Sequence, residues 1–391
     1  MKKILGLLLA LCLIAGCTSA FAAGIPVEQV KIGYITIGDE NEGYSANHLN
    51  GLKEAQAALG ISDDQVLCKY NVPETEDAYE AAIDLAEQGC NIIFATSFGH
   101  ESYVFQAAAE YPNIQFCQAT GNSAMNSELT NVHNYFYAVY ESRYVSGVVA
   151  GMKLAQMIED GTITAENAKI GYVGAFPFAE VISGFTSFFL GARSQCPSVT
   201  MEVRYTNSWG DMALEKETAE ALIADGCVLI SQHADTTGAP SACEAAGVPC
   251  VGYNISMLPV APNTALTSAA GDWGAYVTYA VKCLIDGEEI DRDWCKGYAE
   301  GAVYTTELND SIVAPGTAEK VAELEEAFKA GTVKVFDTST FTVNGETLTS
   351  YTTAYGLEGI EMVSDGEFHE SSVRSAPYFD ILIDGITAVV E

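Results

Sequence analysis

Short apolar runs alternate with segments of helical spacing through most of the chain. Lys31–Ile37 (KIGYITI) reads as a buried strand, and Ala46–Leu59 carries apolar residues at helical spacing before Gly60, a residue that stops helices. Val66–Asn71 follows as a strand, Thr75–Gln88 as a helix closed by Gly89, Asn91–Ala95 as a strand and Tyr103–Ala109 as a helix. The alternation resumes with Ile170–Gly174, Val181–Arg193, Thr200–Tyr205, Leu214–Ala224, Val228–Ser231, Ala239–Ala246 and Pro249–Tyr253. Short buried strands between helices predict βαβ units and parallel sheets.

The pattern repeats. Lys31-Ile32-Gly33-Tyr34 recurs as Lys169-Ile170-Gly171-Tyr172, and Gly89-Cys90 recurs as Gly226-Cys227, at offsets of 138 and 137 residues. Two unrelated landmarks at nearly one offset predict an α/β protein of two similar lobes, each a doubly wound parallel sheet flanked by helices. Ligands of such sheets bind beyond the carboxyl ends of the strands. Those ends carry 38–44, 96–101, 175–178, 233–237 and 254–257, and facing lobes would pool them in one cleft. The C-terminal part differs: a helix over Ala318–Ala330 ended by Gly331, an Asn344-Gly345 hairpin signal within Phe341–Ala354, and a strand at Phe379–Ile383. This reads as a β-rich extension on the second lobe.

Composition narrows the function. Of 391 residues, 52 are Asp or Glu and 18 Lys or Arg, a net charge of -34, which repels phosphate backbones and argues against nucleic acid as a partner. Lys2 and Lys3 precede an apolar stretch, Ile4–Ala15, that is too short to span a bilayer. Ile14-Ala15-Gly16-Cys17 resembles a bacterial lipobox, so residues 1–16 read as a signal peptide and Cys17 as a lipidation site; Ala20-Phe21-Ala22 is a rival cleavage site. Either way the chain is exported, and the first route leaves it lipid-anchored at the cell envelope, with no other membrane contact. Nine further cysteines show no C-x-x-C spacing; most read as buried thiols, with one disulfide conceivable among Cys243, Cys250 and Cys283.

No P-loop, G-x-S-x-G or H-E-x-x-H is present. His233 and Asp235 would share a strand face, but no third ligand is placed, so neither a metal nor another cofactor is expected. What stands out is aromatic residues at expected strand ends: Tyr44, Phe98, Phe176, Trp209 and Trp273. A ring stacked on a base contributes about 1–3 kcal/mol in single-stranded nucleic-acid complexes. Ser97, Asp211, His233, Asp235, Asn254 and Asp272 could read base edges or a ribose beside them. No catalytic residue is expected.

At these residues the chain resembles the basic membrane protein family, lipoprotein substrate-binding components of ABC importers, many of which recognise purine nucleosides or bases. The matching stretches are GYSANHLNGLKEAQAALG (43–60), IIFATSFGH (92–100), ATGN (119–122), YFYAVYESRYVSGVVAG (135–151), KIGYVGAFPFAEVISGFTSFFLGARS (169–194), TNSWGD (206–211), ISQHADT (230–236), VGYNISM (251–257) and DWGAYV (272–277). The resemblance implies a two-lobed periplasmic-binding-protein type I fold, a purine-like ligand taken up by hinge closure, ABC permease subunits as partners and a monomeric chain. It also departs from the family. Tyr44 stands where relatives have Trp, Leu49 where they have Asp, and Asn254 in place of an Asp. Lobe one is expected over 27–136 plus 266–305 and lobe two over 137–265 plus 306–391, with hinge segments near 134–142, 257–268 and 304–314. Two other readings fit the same features: a solute-sensing lipoprotein that signals to a receptor, and an exported nucleoside hydrolase.

Overall fold

The computed structural model describes residues 24–352 and 354–389; the expected signal segment and Cys17 lie outside them. The first of its two main sheets contains β1 (Ile32–Ile35), β2 (Val66–Lys69), β3 (Ile92–Ala95), β4 (Gln115–Ala119) and β5 (Val132–Tyr137), joined by β11 (Asp293–Lys296). Its order is β11-β5-β4-β3-β1-β2, parallel throughout. Helices α1 (Gly43–Leu59), α2 (Glu76–Glu87), α3 (Glu101–Glu110) and α8 (Trp273–Asp286) belong to it. The second sheet contains β6 (Lys169–Gly174), β7 (Thr200–Tyr205), β8 (Leu229–His233), β9 (Cys250–Tyr253), β10 (Ala265–Gly271), β12 (Val303–Thr305) and β15 (Ile386–Val389). Its order is β12-β10-β9-β8-β6-β7-β15, with only β12 antiparallel. Helices α4 (Val139–Glu159), α5 (Ala179–Gln195), α6 (Met212–Ala224), α7 (Gly238–Ala246) and α9 (Thr317–Lys329) flank it. Strands β1 and β3 are buried at every position, which is why they read as unbroken apolar runs.

The sequence echo is a structural one. A Cβ on Gly33 would meet Leu85 and Ile93 at 3.0–3.1 Å, and one on Gly171 would meet Ile230 and Leu222 at 2.6–2.9 Å. Each glycine lets the first strand of its lobe pack closely under the corresponding helix and strand. Gly89 and Gly226 end α2 and α6 at φ 87 and 86°, the left-handed turn that feeds β3 and β8. Replacing either with Ala should cost about 1–2 kcal/mol, because a Cβ disfavours that conformation. Denaturant unfolding of G89A and G226A checks this, and the two losses should be alike.

The C-terminal extension is less β-rich than its composition suggests. Asn344 and Gly345 do make a tight turn, at φ 53 and 81°, but pairing stops at a single Val343–Glu346 bridge. The carboxylate of Asp384 accepts from Thr342 Oγ1, Asn344 N and Gly345 N, so a side chain holds the turn where a partner strand would. Residues 379–383 form no strand; β15 begins at Ile386, and β13 (Val363–Ser364) and β14 (Glu367–Phe368) make one short hairpin. The extension reaches both lobes: β15 pairs with β7, and Ser375 N donates to Asp293 of β11 at 2.9 Å. The nine described cysteines are all free, so no disulfide joins Cys243, Cys250 or Cys283.

The chain passes between the sheets after Tyr137, after Gly271 and between Lys296 and Val303. The first passage lies within the expected segment 134–142. The second comes later than 257–268, because β10 stays with β9. The third comes earlier than 304–314, because β12 already pairs with β10. Residues 266–271 and 303–305 therefore lie in the second sheet.

Candidate functional site

A cleft opens between the carboxyl ends of the two sheets. Ile37, Tyr44, Ser97, Phe98 and Thr120 line it from the first lobe; Glu180, Trp209, His233, Asp235 and Tyr253 line it from the second. Its empty volume is about 370 Å³, the open mouth included.

Local structure aims each wall. Glu42 caps α1 by accepting from the amides of Tyr44 and Ser45, and Tyr44 OH donates to Thr96 O, which fixes the Tyr44 ring at the cleft. Glu74 accepts from Gly99 N at 2.7 Å and from Ser97 Oγ, and the loop so held leaves Phe98 41% exposed. Thr120 directly follows β4 at φ 59°, and its buried Oγ1 has no partner. On the second lobe, Trp209 stands edge-on to Phe176, centroids 5.1 Å apart, and Phe176 stacks on Phe178 at 5.0 Å. Asp235 accepts from Asn254 Nδ2 at 2.8 Å, and the other Asn254 amide atom, Oδ1, is buried without a partner. His233 Nε2 lies 3.4 Å from Glu180 Oε1. Beneath them the buried Arg143 donates to Gln232 O at 2.6 Å and lays its guanidinium 3.6 Å from the Tyr253 ring centre.

The lobes touch at the mouth. Gly43 N of α1 donates to Asp235 O across the cleft at 3.1 Å, and Phe98 meets Phe178 with centroids 6.2 Å apart.

The electrostatics follow from burying acids together. Burial pushes Glu180 up to about 7, with Arg143 opposing it. Burial also pushes Glu215 up to about 7, although Thr236 donates to it. Asp235 is raised well above the usual carboxylate range by burial and then by Glu42, Glu215 and Glu180. His233 is held uncharged by burial and by Arg143.

Six of the expected site residues therefore line the slot: Tyr44, Ser97, Phe98, Trp209, His233 and Asp235. Phe176 and Asn254 stand one contact behind it. Asp211 and Asp272 are placed as helix caps, accepting from the first amides of α6 and α8. Asp272 faces a separate hollow with Asn47, Glu54 and Tyr304. Trp273 is buried, stacked on His48 at 3.9 Å and packed against Tyr137. The sequence reading missed Ile37, Thr120, Glu180 and Tyr253. Three of these close a strand or directly follow one, a signal that was available; Glu180 carried none.

Two sheets of this topology, three inter-sheet passages and a cleft at the strand ends define a two-lobed α/β fold with an interlobe site. A solved ABC transporter solute-binding protein from Aeropyrum pernix K1 has the same fold, with a TM-score of 0.64 at 19% identity over 78% of this chain and 93% of that one. Residues 35–335 match the family described as ABC transporter substrate-binding protein, PnrA-like, and the chain belongs to that family. A purine-binding protein of Brucella abortus (strain 2308) is 33% identical over 311 residues, 79% of this chain and 83% of its own length. TsgA13 of Haloferax volcanii, for which an ABC transporter glucose-binding role is proposed, is 29% identical over 337 residues, 85% and 81% of the two chains. The resemblance seen in the motifs is thus a family membership, and the chain is a substrate-binding protein of an ABC transporter.

Proposed function

We propose that the chain captures a purine-type solute, a nucleobase or nucleoside, in this slot and releases it unaltered to an ABC permease. The observation that carries the reading is the cleft lined by Phe98 from one lobe and by Trp209 from the other. Two faces of a planar heterocycle can be covered there at once. Glucose, the solute in the name of TsgA13, is the competing ligand that the binding test includes. Lobe closure is the step that ligand favours, by binding the closed state better than the open one. The chain acts as a monomer, exported and held at the envelope by a lipid on Cys17.

Titration calorimetry of the mature chain, unfolded and refolded to strip carried-over ligand, tests the reading with adenine, hypoxanthine, inosine, guanosine and glucose. Binding of at least one purine is expected; binding of glucose alone overturns it. Trp209→Ala should weaken purine binding about 5- to 150-fold, the equivalent of about 1–3 kcal/mol of lost stacking. Labelled-lipid incorporation, lost in Cys17→Ala, checks the anchor.

A further inference from the structure

Glu180 is the carboxyl in the slot wall whose position ordinary ion pairing does not explain. It begins the first turn of α5, lines the cleft and keeps 17% side-chain exposure. Among the described residues, no Lys or Arg nitrogen lies within 4.0 Å of it; its one partner in that range is His233 Nε2 at 3.4 Å. The other ring nitrogen, His233 Nδ1, has no partner and looks onto Gly184, where a Cβ would sit 2.6 Å away. Groups from every neighbouring element face this carboxyl: Arg143 of α4, His233 and Asp235 at the end of β8, Tyr253 of β9, Tyr137 of β5 and Tyr44 of α1. Arg143 is the one cation among them; it donates through Nη1 to Gln232 O and lies over the Tyr253 ring, its Nε and Nη2 are buried without partners, and it opposes the burial of Glu180 from beyond 4.0 Å.

We propose that Glu180 is a specificity-determining residue that binds the solute as the neutral acid, its O–H donating to a ring nitrogen or carbonyl of the heterocycle while its other oxygen accepts from the neighbouring N–H. This rests on the purine reading and deepens it. The solute it selects carries an acceptor beside a donor on one edge, as both 6-amino and 6-oxo purines do. His233 Nε2–H donating to Oε1 leaves Oε2 to carry the proton into the slot. A neutral acid can make both bonds; a carboxylate can only accept.

The consequence is proton uptake on capture. With the lobes together burial raises Glu180 from the ordinary 4.5 to about 7; opening the cleft to solvent would lower it again, and a bond donated to the solute would raise it further. The favourable contribution is complete below the lower value and is lost as pH rises through the upper one. One linked proton changes affinity about tenfold per pH unit.

Calorimetry with whichever of adenine, hypoxanthine, inosine and guanosine binds, between pH 5.5 and 8.5 in buffers of different ionisation enthalpy, tests this. The wild type is expected to take up protons and to bind about tenfold or more weaker at pH 8 than at pH 6. Glu180→Gln keeps a donor and an acceptor at every pH, and should take up about one proton fewer than the wild type, with a correspondingly shallower profile; any uptake that remains belongs to Asp235. Glu180→Ala should bind more weakly than Glu180→Gln at pH 8. Wild-type binding without proton uptake, or an unchanged slope in Glu180→Gln, overturns the proposal. Binding of none of adenine, hypoxanthine, inosine and guanosine at any pH overturns the purine reading itself, and the proposal with it.

Discussion

Gly43→Val should leave both lobes folded and remove tight solute capture. Gly43 opens α1 at the cleft mouth, and a Cβ there would sit 2.8 Å from the carbonyl oxygen of Asp235 on the opposite lobe. That oxygen is backbone, so it cannot swing aside as a side chain would. The next atoms met, on Ile255, lie at 3.5–3.6 Å, so the clash with Asp235 alone decides the outcome. The two γ-methyls of valine deepen the overlap. The lobes must then stop short of contact, which breaks the Gly43–Asp235 hydrogen bond and separates Phe98 from Phe178. Because the mouth is the end of the lever, a small separation there opens the whole slot to water. Losing the closed state should weaken binding about a hundredfold, close to 2.7 kcal/mol. Calorimetry gives the affinity. Small-angle scattering should show no contraction on adding ligand, and the melting temperature without ligand should hold. Unchanged affinity would show that capture does not need the lobes to meet here.

Much of this geometry was legible in the chain, and the exceptions have physical causes. The lobe repeat could be read because Gly33 and Gly171 meet the same packing demand, and Gly89 and Gly226 the same turn. Phe98 and Trp209 could be read because exposed rings at strand ends serve little purpose in a lobe alone. Trp273 shares that sequence signature yet faces inward. As the first residue of α8 it turns back onto His48, and only the helix direction decides that. Glu180 is one of 52 acidic residues, and nothing in its neighbours distinguishes it until the fold removes water and keeps every cation beyond 4.0 Å of it. Strand β10 (ALTSAAG) was missed because its small residues lack strand preference. Pairing with β9 and β12 on its two edges overrides that.

Gly147→Val should be the most destabilising of the substitutions considered, for a reason opposite to that at Gly89. Helices α4 and α5 pack backbone to backbone. A Cβ on Gly147 would lie 2.0 Å from Phe188 O, one on Gly151 2.2 Å from Ala192 O, and one on Gly191 2.1 Å from Tyr144 O. The contacts alternate between the helices, so neither can rotate to relieve one without worsening another. Overpacking a core costs about 1–3 kcal/mol where side chains can yield. Here the obstacle is main chain, and a loss of about 3 kcal/mol or more is expected. For a lobe of this size that lowers the melting temperature by roughly 6–12 °C. The displacement also reaches the slot, because α4 carries Arg143 one turn earlier, under Tyr253 and Gln232. Solute affinity should therefore fall even where the variant remains folded. By contrast, Gly89 meets open space, and its alanine variant loses only the left-handed backbone preference. Calorimetric melts of G147V and G89A side by side separate the two mechanisms. A G147V melt within about 2 °C of the wild type would show that the helices separate freely, contrary to the packing described.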